Sequence, residues 1–177
     1  MPVTRLNHAV LYVRDVEVTR EFYEQVLGFT TLTNIPGQAA FFQAPGSTND
    51  HDLGVFQIGS GAGPSAAGRG SVGLYHLAWE VDTLDELDRI KGLLADRGAL
   101  VGASDHVTTK SLYAHDPDGL EFEVCWILPA WAVTAELRAE AKADPQPRPL
   151  DLAAEKARYG ASTPGGIGVS IPAPAEG

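Results

Sequence analysis

Hydrophobic and polar positions follow one order that occurs twice along the chain. Residues 8–13 form a short apolar run, and a helical pattern then leads to Gly28. Residues 76–81 form a similar run, and a second helical pattern leads to Gly98. Short runs rich in β-branched and aromatic residues follow each helical pattern, as is typical of strands. The sequence therefore predicts two modules, each of the order βαβββ.

Start and stop signals bound the two predicted helices. Asp15 is suited to cap the start of the first helix, and Gly28 stands where a left-handed residue would end it. Thr83 and Glu86 have the spacing of a capping box at the start of the second helix, which Gly98 closes. Apolar residues at helical spacing form one stripe on each helix: Phe22, Tyr23, Val26 and Leu27, then Leu84, Leu87, Ile90 and Leu94.

The apolar runs also predict how the strands are covered. Both parities of the first run are largely apolar, which is typical of a strand covered on both faces. The segment Asp116-Pro117-Asp118-Gly119 predicts a turn that joins the last two strands as a hairpin. The remaining strands are expected at residues 30–33, 39–44, 52–58, 100–103, 110–115 and 120–128.

A Gly- and Ser-rich segment separates the modules, and the end of the chain differs in composition from both. A helix is predicted over residues 131–143, and the Pro-, Gly- and Ala-rich remainder is expected to be extended or mobile. The predicted division is module one at 4–59, linker at 60–71 and module two at 72–128, which together make one domain, 1–128, followed by a C-terminal region at 129–177.

Composition narrows the classes of function. The 177 residues are 44% hydrophobic, which is enough for a core, and 23 acidic against 13 basic residues give a formal net charge of −10. Such a surface repels phosphate backbones and anionic lipid, so nucleic acid and membranes are not expected partners. Cys125 is the one cysteine, so no intrachain disulfide can form. With no signal-peptide pattern and no membrane-length apolar run, we expect a cytoplasmic protein.

Candidate metal ligands occupy matching places in the repeat. His8 and His76 each open a strand-like run, and Glu121 and Glu123 share one parity of the last strand. A single strand histidine is more often structural than a ligand, but two at equivalent positions favour metal binding. Two imidazoles and one carboxylate are the donor set of an open non-haem iron site. Spacing alone does not choose between the two glutamates.

These residues resemble the vicinal oxygen chelate superfamily, which comprises glyoxalases, bleomycin-resistance proteins and extradiol dioxygenases. The resemblance covers about residues 4–128 and includes the family's Asp-Pro-x-Gly turn, with Glu123 seven residues after Asp116. It implies an α+β fold in which paired βαβββ modules form a curled sheet around a metal cleft. It also implies His8, His76 and Glu123 as the metal ligands.

A finer resemblance points to single-domain extradiol catechol 2,3-dioxygenases. The segment His51-Asp52-Leu53-Gly54-Val55-Phe56 is similar to a motif whose histidine acts as acid and base in that family. Tyr113 precedes Glu123 by ten residues, as in the family, and His106 is the candidate for a further upstream histidine. The resemblance implies Fe(II), with Mn(II) as an alternative, and a reaction in which dioxygen opens the ring of a catechol to a semialdehyde in aromatic catabolism.

Two other functions share the fold. A glyoxalase-type lyase or epimerase uses a similar metal without oxygen and adds a fourth ligand, for which Gln57 is best placed. A metal-free drug-binding resistance protein would not need the three ligands together. At the family level a homo-oligomer, most often a dimer, is expected.

Overall fold

The computed structural model of the chain describes residues 2–3, 5–68, 70–144 and 146–166. They form two compact units. The first comprises the described residues up to 66 together with Asp116–Leu120, and the second comprises the described residues of 67–115 and 121–166. Each unit carries one open, mixed β-sheet with helical cover on one face. Among the described residues, no helix is both long enough and apolar enough to cross a membrane.

The first unit is one βαβββ module. Its sheet has the order β1-β4-β3-β2, in which β1 is parallel to β4 and the other pairs are antiparallel. The elements are β1 (Ala9–Val13), α1 (Val16–Leu27), β2 (Thr30–Ile35), β3 (Ala39–Gln43) and β4 (Leu53–Gln57).

Local signals determine where α1 begins and ends. The Asp15 carboxylate accepts hydrogen bonds from the backbone N–H groups of Glu17 and Val18, and Gly28 adopts a φ of 70°. Both features confirm the predicted caps. The predicted apolar stripe is buried against β3 and β4, where it forms the core of the first unit with Leu53, Val55 and Phe42.

The opposite face of the first sheet differs from expectation. Val10 and Tyr12 on β1 are 51% and 72% exposed, whereas Val13 is 1% exposed. The prediction that β1 is covered on both faces is therefore wrong. The reason is that α1 packs on this sheet and covers only the other face.

The second unit repeats this connectivity and adds a fifth strand. Its sheet has the order β5-β8-β7-β6-β9, with β5 parallel to β8. This confirms the predicted α+β class with two βαβββ modules. The elements are β5 (Leu77–Glu80), α2 (Leu84–Asp96), β6 (Leu100–Asp105), β7 (Thr109–His115), β8 (Glu121–Ile127), a 3₁₀ turn (Ala130–Ala132), α3 (Ala135–Ala143), β9 (Arg148–Pro149) and α4 (Leu152–Tyr159).

The start of α2 follows the capping box. Thr83 Oγ1 accepts a hydrogen bond of 3.2 Å from the Glu86 N–H group, and Gly98 adopts a φ of 64° after the helix. The four residues of the predicted stripe are at most 2% exposed. They form the core of the second unit with the inward side chains of β7 and β8, which include Leu112, Val124 and Trp126.

The C-terminal region is more ordered than its composition suggests. The helix predicted over residues 131–143 is split into the 3₁₀ turn and α3. The expectation of extended or mobile structure is wrong for residues 146–166, because β9 pairs with β6 and α4 packs against α2. The part of that expectation that concerns residues 167–177 lies outside the described residues.

The backbone at Gly165 lies close to the backbone of Asp82 and Ile127 and to the side chain of Trp126. Gly165 donates its N–H group to the Asp82 carbonyl oxygen at 2.7 Å. A Cβ atom at Gly165 would lie 2.8 Å from Trp126 Nε1 and 2.9 Å from the Ile127 carbonyl oxygen. Only glycine fits this position without a shift of the backbone. The hydrophobic pattern does not predict this contact, because the contact depends on the absence of a side chain at Gly165.

Candidate functional site

Glu123 and His76 face each other on one side of the second sheet. Glu123 on β8 pairs with Ala78 on β5, and His76 lies two residues before Ala78. Side chains two residues apart point to the same face of a strand. His76 Nε2 accordingly lies 3.1 Å from Glu123 Oε2, and the two side chains are 24% and 13% exposed.

Ser111 fixes the orientation of the Glu123 carboxylate. It lies on β7, two residues before Tyr113, which pairs with Glu123. Ser111 Oγ donates a hydrogen bond of 2.5 Å to Glu123 Oε1, and Ser111 is fully buried. The other carboxylate oxygen is thereby directed toward His76. Sequence reasoning missed Ser111, although its parity with Tyr113 places it on the same face.

This pair fits a divalent cation. Two donors bound at about 2.1 Å in adjacent positions of one cation stand roughly 3 Å apart, and the observed separation between His76 Nε2 and Glu123 Oε2 is 3.1 Å. His76 Nδ1 is buried without a hydrogen-bond partner among the described residues. Such groups are rare and are associated with catalytic sites or with bound water or ions.

Two further predicted residues are hydrogen-bonded on the same face. His106 Nε2 lies 2.8 Å from the Tyr113 hydroxyl group. The ring of Tyr113 is in turn 5.9 Å from that of His76, centroid to centroid. Burial and the nearby charge of Glu123 raise the pKa of Tyr113 above its usual value. The phenol therefore keeps its proton at neutral pH and can donate a hydrogen bond.

The neighbouring cysteine does not contribute to this polar set. Cys125 follows Glu123 by two residues and is 5% exposed. Burial, together with the charges of Glu123 and Glu80, raises the pKa of the Cys125 thiol to about 12. It stays a neutral thiol and packs as a small apolar residue.

His8 and His51 come together in the first unit. Their ring centroids are 4.4 Å apart, and the Phe41 ring packs edge-on against His51 at 5.3 Å. Phe41 occupies the space above Gly54, where a Cβ atom would lie 3.2 Å from the phenyl ring. The glycine of the His51–Phe56 motif thus makes room for the aromatic ring that holds His51.

Hydrogen bonds select the available nitrogen of His8. Its Nδ1 atom lies 2.8 Å from the Asn7 side-chain oxygen, which can only accept. In the neutral imidazole this contact places the proton on Nδ1 and leaves the lone pair of Nε2 for a cation. Asn49 Nδ2 supports this segment with bonds of 2.8 Å to the Asn7 carbonyl oxygen and 2.7 Å to Asp52 Oδ1. Asn49 thus connects the segment before β1 to the loop that precedes His51.

The Asp-Pro-Asp-Gly turn is bound to Arg14, just after β1. Arg14 Nη1 donates to Asp118 Oδ1 at 2.7 Å, and the Arg14 backbone N–H group donates to Asp118 Oδ2 at 3.0 Å. Asp116 Oδ1 accepts from the N–H groups of Asp118 and Leu120, both at 2.9 Å. Burial raises the pKa of Asp116 to about 6 in spite of these bonds.

The predicted site residues are thus divided between the units. His8 and His51 are neighbours in the first, and His76, Glu123, His106 and Tyr113 are neighbours in the second. Within the described part of the chain, no group of three or more His, Cys, Asp or Glu is arranged so that it could hold a metal ion. The ligand set of His8, His76 and Glu123 stays a prediction.

Residues 5–124 match the family model of the Glyoxalase/Bleomycin resistance protein/Dioxygenase superfamily. The chain belongs to this superfamily. Its relatives include many enzymes and are generally metal-dependent.

Comparison with individual superfamily members adds detail. The chain is 31% identical over 124 residues to a catechol-2,3-dioxygenase of Bacillus subtilis, in an alignment that covers 68% of this chain and 41% of the relative. The chain thus spans less than half the length of the curated relative that it matches. A glyoxylase/bleomycin resistance protein/dioxygenase domain from Frankia has a TM-score of 0.58 at 22% identity. The superposition covers 70% of this chain and 92% of the Frankia chain. A lactoylglutathione lyase from Agrobacterium tumefaciens has a TM-score of 0.52 at 24% identity, with 71% and 95% covered. These two likenesses show the fold alone.

Proposed function

We propose that this protein is an extradiol dioxygenase, which uses Fe(II) to insert dioxygen into the ring of a catechol-type diol. The observation that carries the proposal is the hydrogen bond between His106 and Tyr113, on the same sheet face as His76 and Glu123. His106 and Tyr113 can exchange hydrogen bonds with a substrate, and His76 and Glu123 can bind a metal ion beside them. This combination is suited to a substrate whose hydroxyl groups must lose and regain protons. The catechol-2,3-dioxygenase relative supports the same class of reaction.

The proposed ligands are His8, His76 and Glu123. The Nε2 lone pair of His8 and the oriented carboxylate of Glu123 supply donors of the kinds that non-haem Fe(II) accepts, and Mn(II) accepts the same kinds. When bound, the ion would hold the two adjacent catechol oxygens and dioxygen in open positions and stabilise developing negative charge.

The other residues would manage protons. His51 is half-buried beside Phe41, and we assign it the removal of a proton from a substrate hydroxyl group and its later return. Tyr113, which keeps its own proton, would donate a hydrogen bond to a substrate oxygen while His106 orients the phenol. Both atoms of dioxygen enter the semialdehyde product, so the reaction needs no external reductant.

Gln57 is already engaged elsewhere. Its Oε1 atom accepts a hydrogen bond of 3.0 Å from the Val16 N–H group at the start of α1. A lyase of the glyoxalase type would draw on this residue as a fourth ligand, so the contact favours the dioxygenase. The choice of iron, a cytoplasmic location and a homodimer stay predictions.

The test is reconstitution with Fe(II) in the absence of air, followed by a panel of catechols and then oxygen. We expect oxygen uptake equal to the catechol consumed and a yellow ring-opened product. The Glu123→Gln variant should retain no iron and show no uptake. A protein that binds iron but takes up no oxygen with any catechol of a broad panel would refute the proposal.

A further inference from the structure

The turn that carries His106 has an unusual backbone. Val107 adopts a φ of 69° and is 5% exposed. A β-branched residue rarely takes this left-handed conformation, and it persists only where surrounding interactions impose it. The direction in which His106 leaves the sheet therefore depends on what holds the Val107 backbone.

The carboxylate of Asp105 holds that backbone. Asp105 Oδ1 accepts the Val107 N–H group at 2.7 Å, while the His106 N–H group is bound to the Thr109 carbonyl oxygen at 2.8 Å. These two bonds close the turn between β6 and β7 on both sides of His106. Movement of the Asp105 carboxylate would thus change the position of the His106 ring relative to Tyr113.

Asp105 is in turn held by the C-terminal region. Lys110 Nζ lies 2.5 Å from Asp105 Oδ1 and 2.9 Å from Glu155 Oε2, and its side chain is 1% exposed. A buried ammonium group needs both of its acidic partners in place. Glu155 belongs to α4, and Arg148 of β9 pairs with the Asp105 backbone.

We propose that Asp105, Lys110 and Glu155 form a positioning chain through which α4 holds His106 against Tyr113. The effect of this positioning chain on catalysis rests on the proposed dioxygenase function. None of the three residues is assigned a contact with substrate, so they are positioning residues. Through Glu155, α4 accordingly supports the position of His106 in the second unit.

Glu155→Gln in the full-length protein is the first test. It keeps the size of the side chain but removes the charge that Lys110 faces. We expect the ring signals of His106 in ¹H–¹⁵N correlation spectra to shift, and kcat with catechol to fall about 10-fold at unchanged iron content.

Lys156→Met is the matched control. Lys156 is the next residue on α4 and forms ion pairs with Asp85 at 3.0 Å and Asp88 at 2.5 Å. Its loss removes these exposed ion pairs between α4 and α2 and leaves the contact between Lys110 and Glu155 in place. The His106 signals and kcat should match those of the unmodified protein. Equal effects of both variants would show a general role in stability and overturn the proposal.

A second variant serves if Glu155→Gln does not fold. The double variant Lys110→Met, Glu155→Leu removes the two buried charges together, which proteins tolerate better than loss of one partner. It should shift the His106 signals in the same way, and unshifted signals would overturn the positioning chain. The spectra need no turnover, so a lack of oxygen uptake by the unmodified protein counts only against the dioxygenase assignment.

Discussion

Ser111 Oγ donates its hydrogen bond to one oxygen of the Glu123 carboxylate, and the other oxygen lies 3.1 Å from His76 Nε2. One buried hydroxyl group on β7 thus determines which way the proposed metal ligand on β8 points. Oε2 is the carboxylate oxygen that faces His76. Orientation of this kind is what outer-shell residues contribute to metal sites.

Replacement of Ser111 by alanine should weaken metal binding about 10- to 100-fold, because the carboxylate loses its fixed orientation. Titration with Fe(II) or Mn(II) measures the change. Ser104→Ala is the matched control, since Ser104 lies directly across from Ser111 on β6 and its removal leaves the bond to Glu123 intact. Equal affinities of the two variants would contradict the role given to Ser111.

His51→Ala should lose about 10²- to 10⁴-fold in kcat while iron content stays the same, because the residue is assigned proton transfer and not metal binding. Oxygen uptake and metal analysis of the same samples measure the two quantities. His115→Ala is a suitable control: the His115 side chain is 48% exposed and faces Glu121 at 3.7 Å. Loss of iron from the His51 variant would show that His51 serves as a ligand.

Asp116 should make stability depend on pH. Burial raises its pKa to about 6 in the folded protein, whereas an unfolded aspartate titrates near about 3.9. The folded state therefore binds the proton more tightly, so this contribution to stability is complete below about pH 4 and is lost as pH rises through about 6.

Asp116→Asn keeps the Oδ1 acceptor and removes the titration. Urea unfolding should show similar stability of the two proteins at pH 4 and an advantage of the variant of about 1–3 kcal/mol at pH 7. Parallel curves of unfolding free energy against pH would mean that Asp116 has an ordinary pKa.

Gly165→Ala should destabilise the second unit by about 1–3 kcal/mol, because its Cβ atom would meet Trp126 and the Ile127 backbone. Gly92→Ala provides the opposite control. Gly92 lies within α2 with open space around it, so alanine there should stabilise by about 0.5–1 kcal/mol. Thermal unfolding measures both, and limited proteolysis should show earlier cleavage near Gly165 only in the first variant.

The helices could be predicted closely because their signals are local. The Asp15 and Thr83 caps and the left-handed Gly28 and Gly98 occur where the sequence places them. The burial of the first strand could not be predicted, because the presence of a largely apolar side chain such as Tyr12 does not show whether another element packs against it. The order of the C-terminal region could not be predicted either, since a Pro-, Gly- and Ala-rich composition does not reveal which elements the region packs against.

The sequence by itself determined the repeated βαβββ order, the helix limits and the identity of the candidate donors, because periodicity, capping and side-chain chemistry act over a few residues. Only the tertiary structure decided that Ser111 orients Glu123, that His106 meets Tyr113, and that Glu155 reaches Asp105 through Lys110. Each of these contacts joins separate strands or helices, and their register and packing arise only when the whole unit folds.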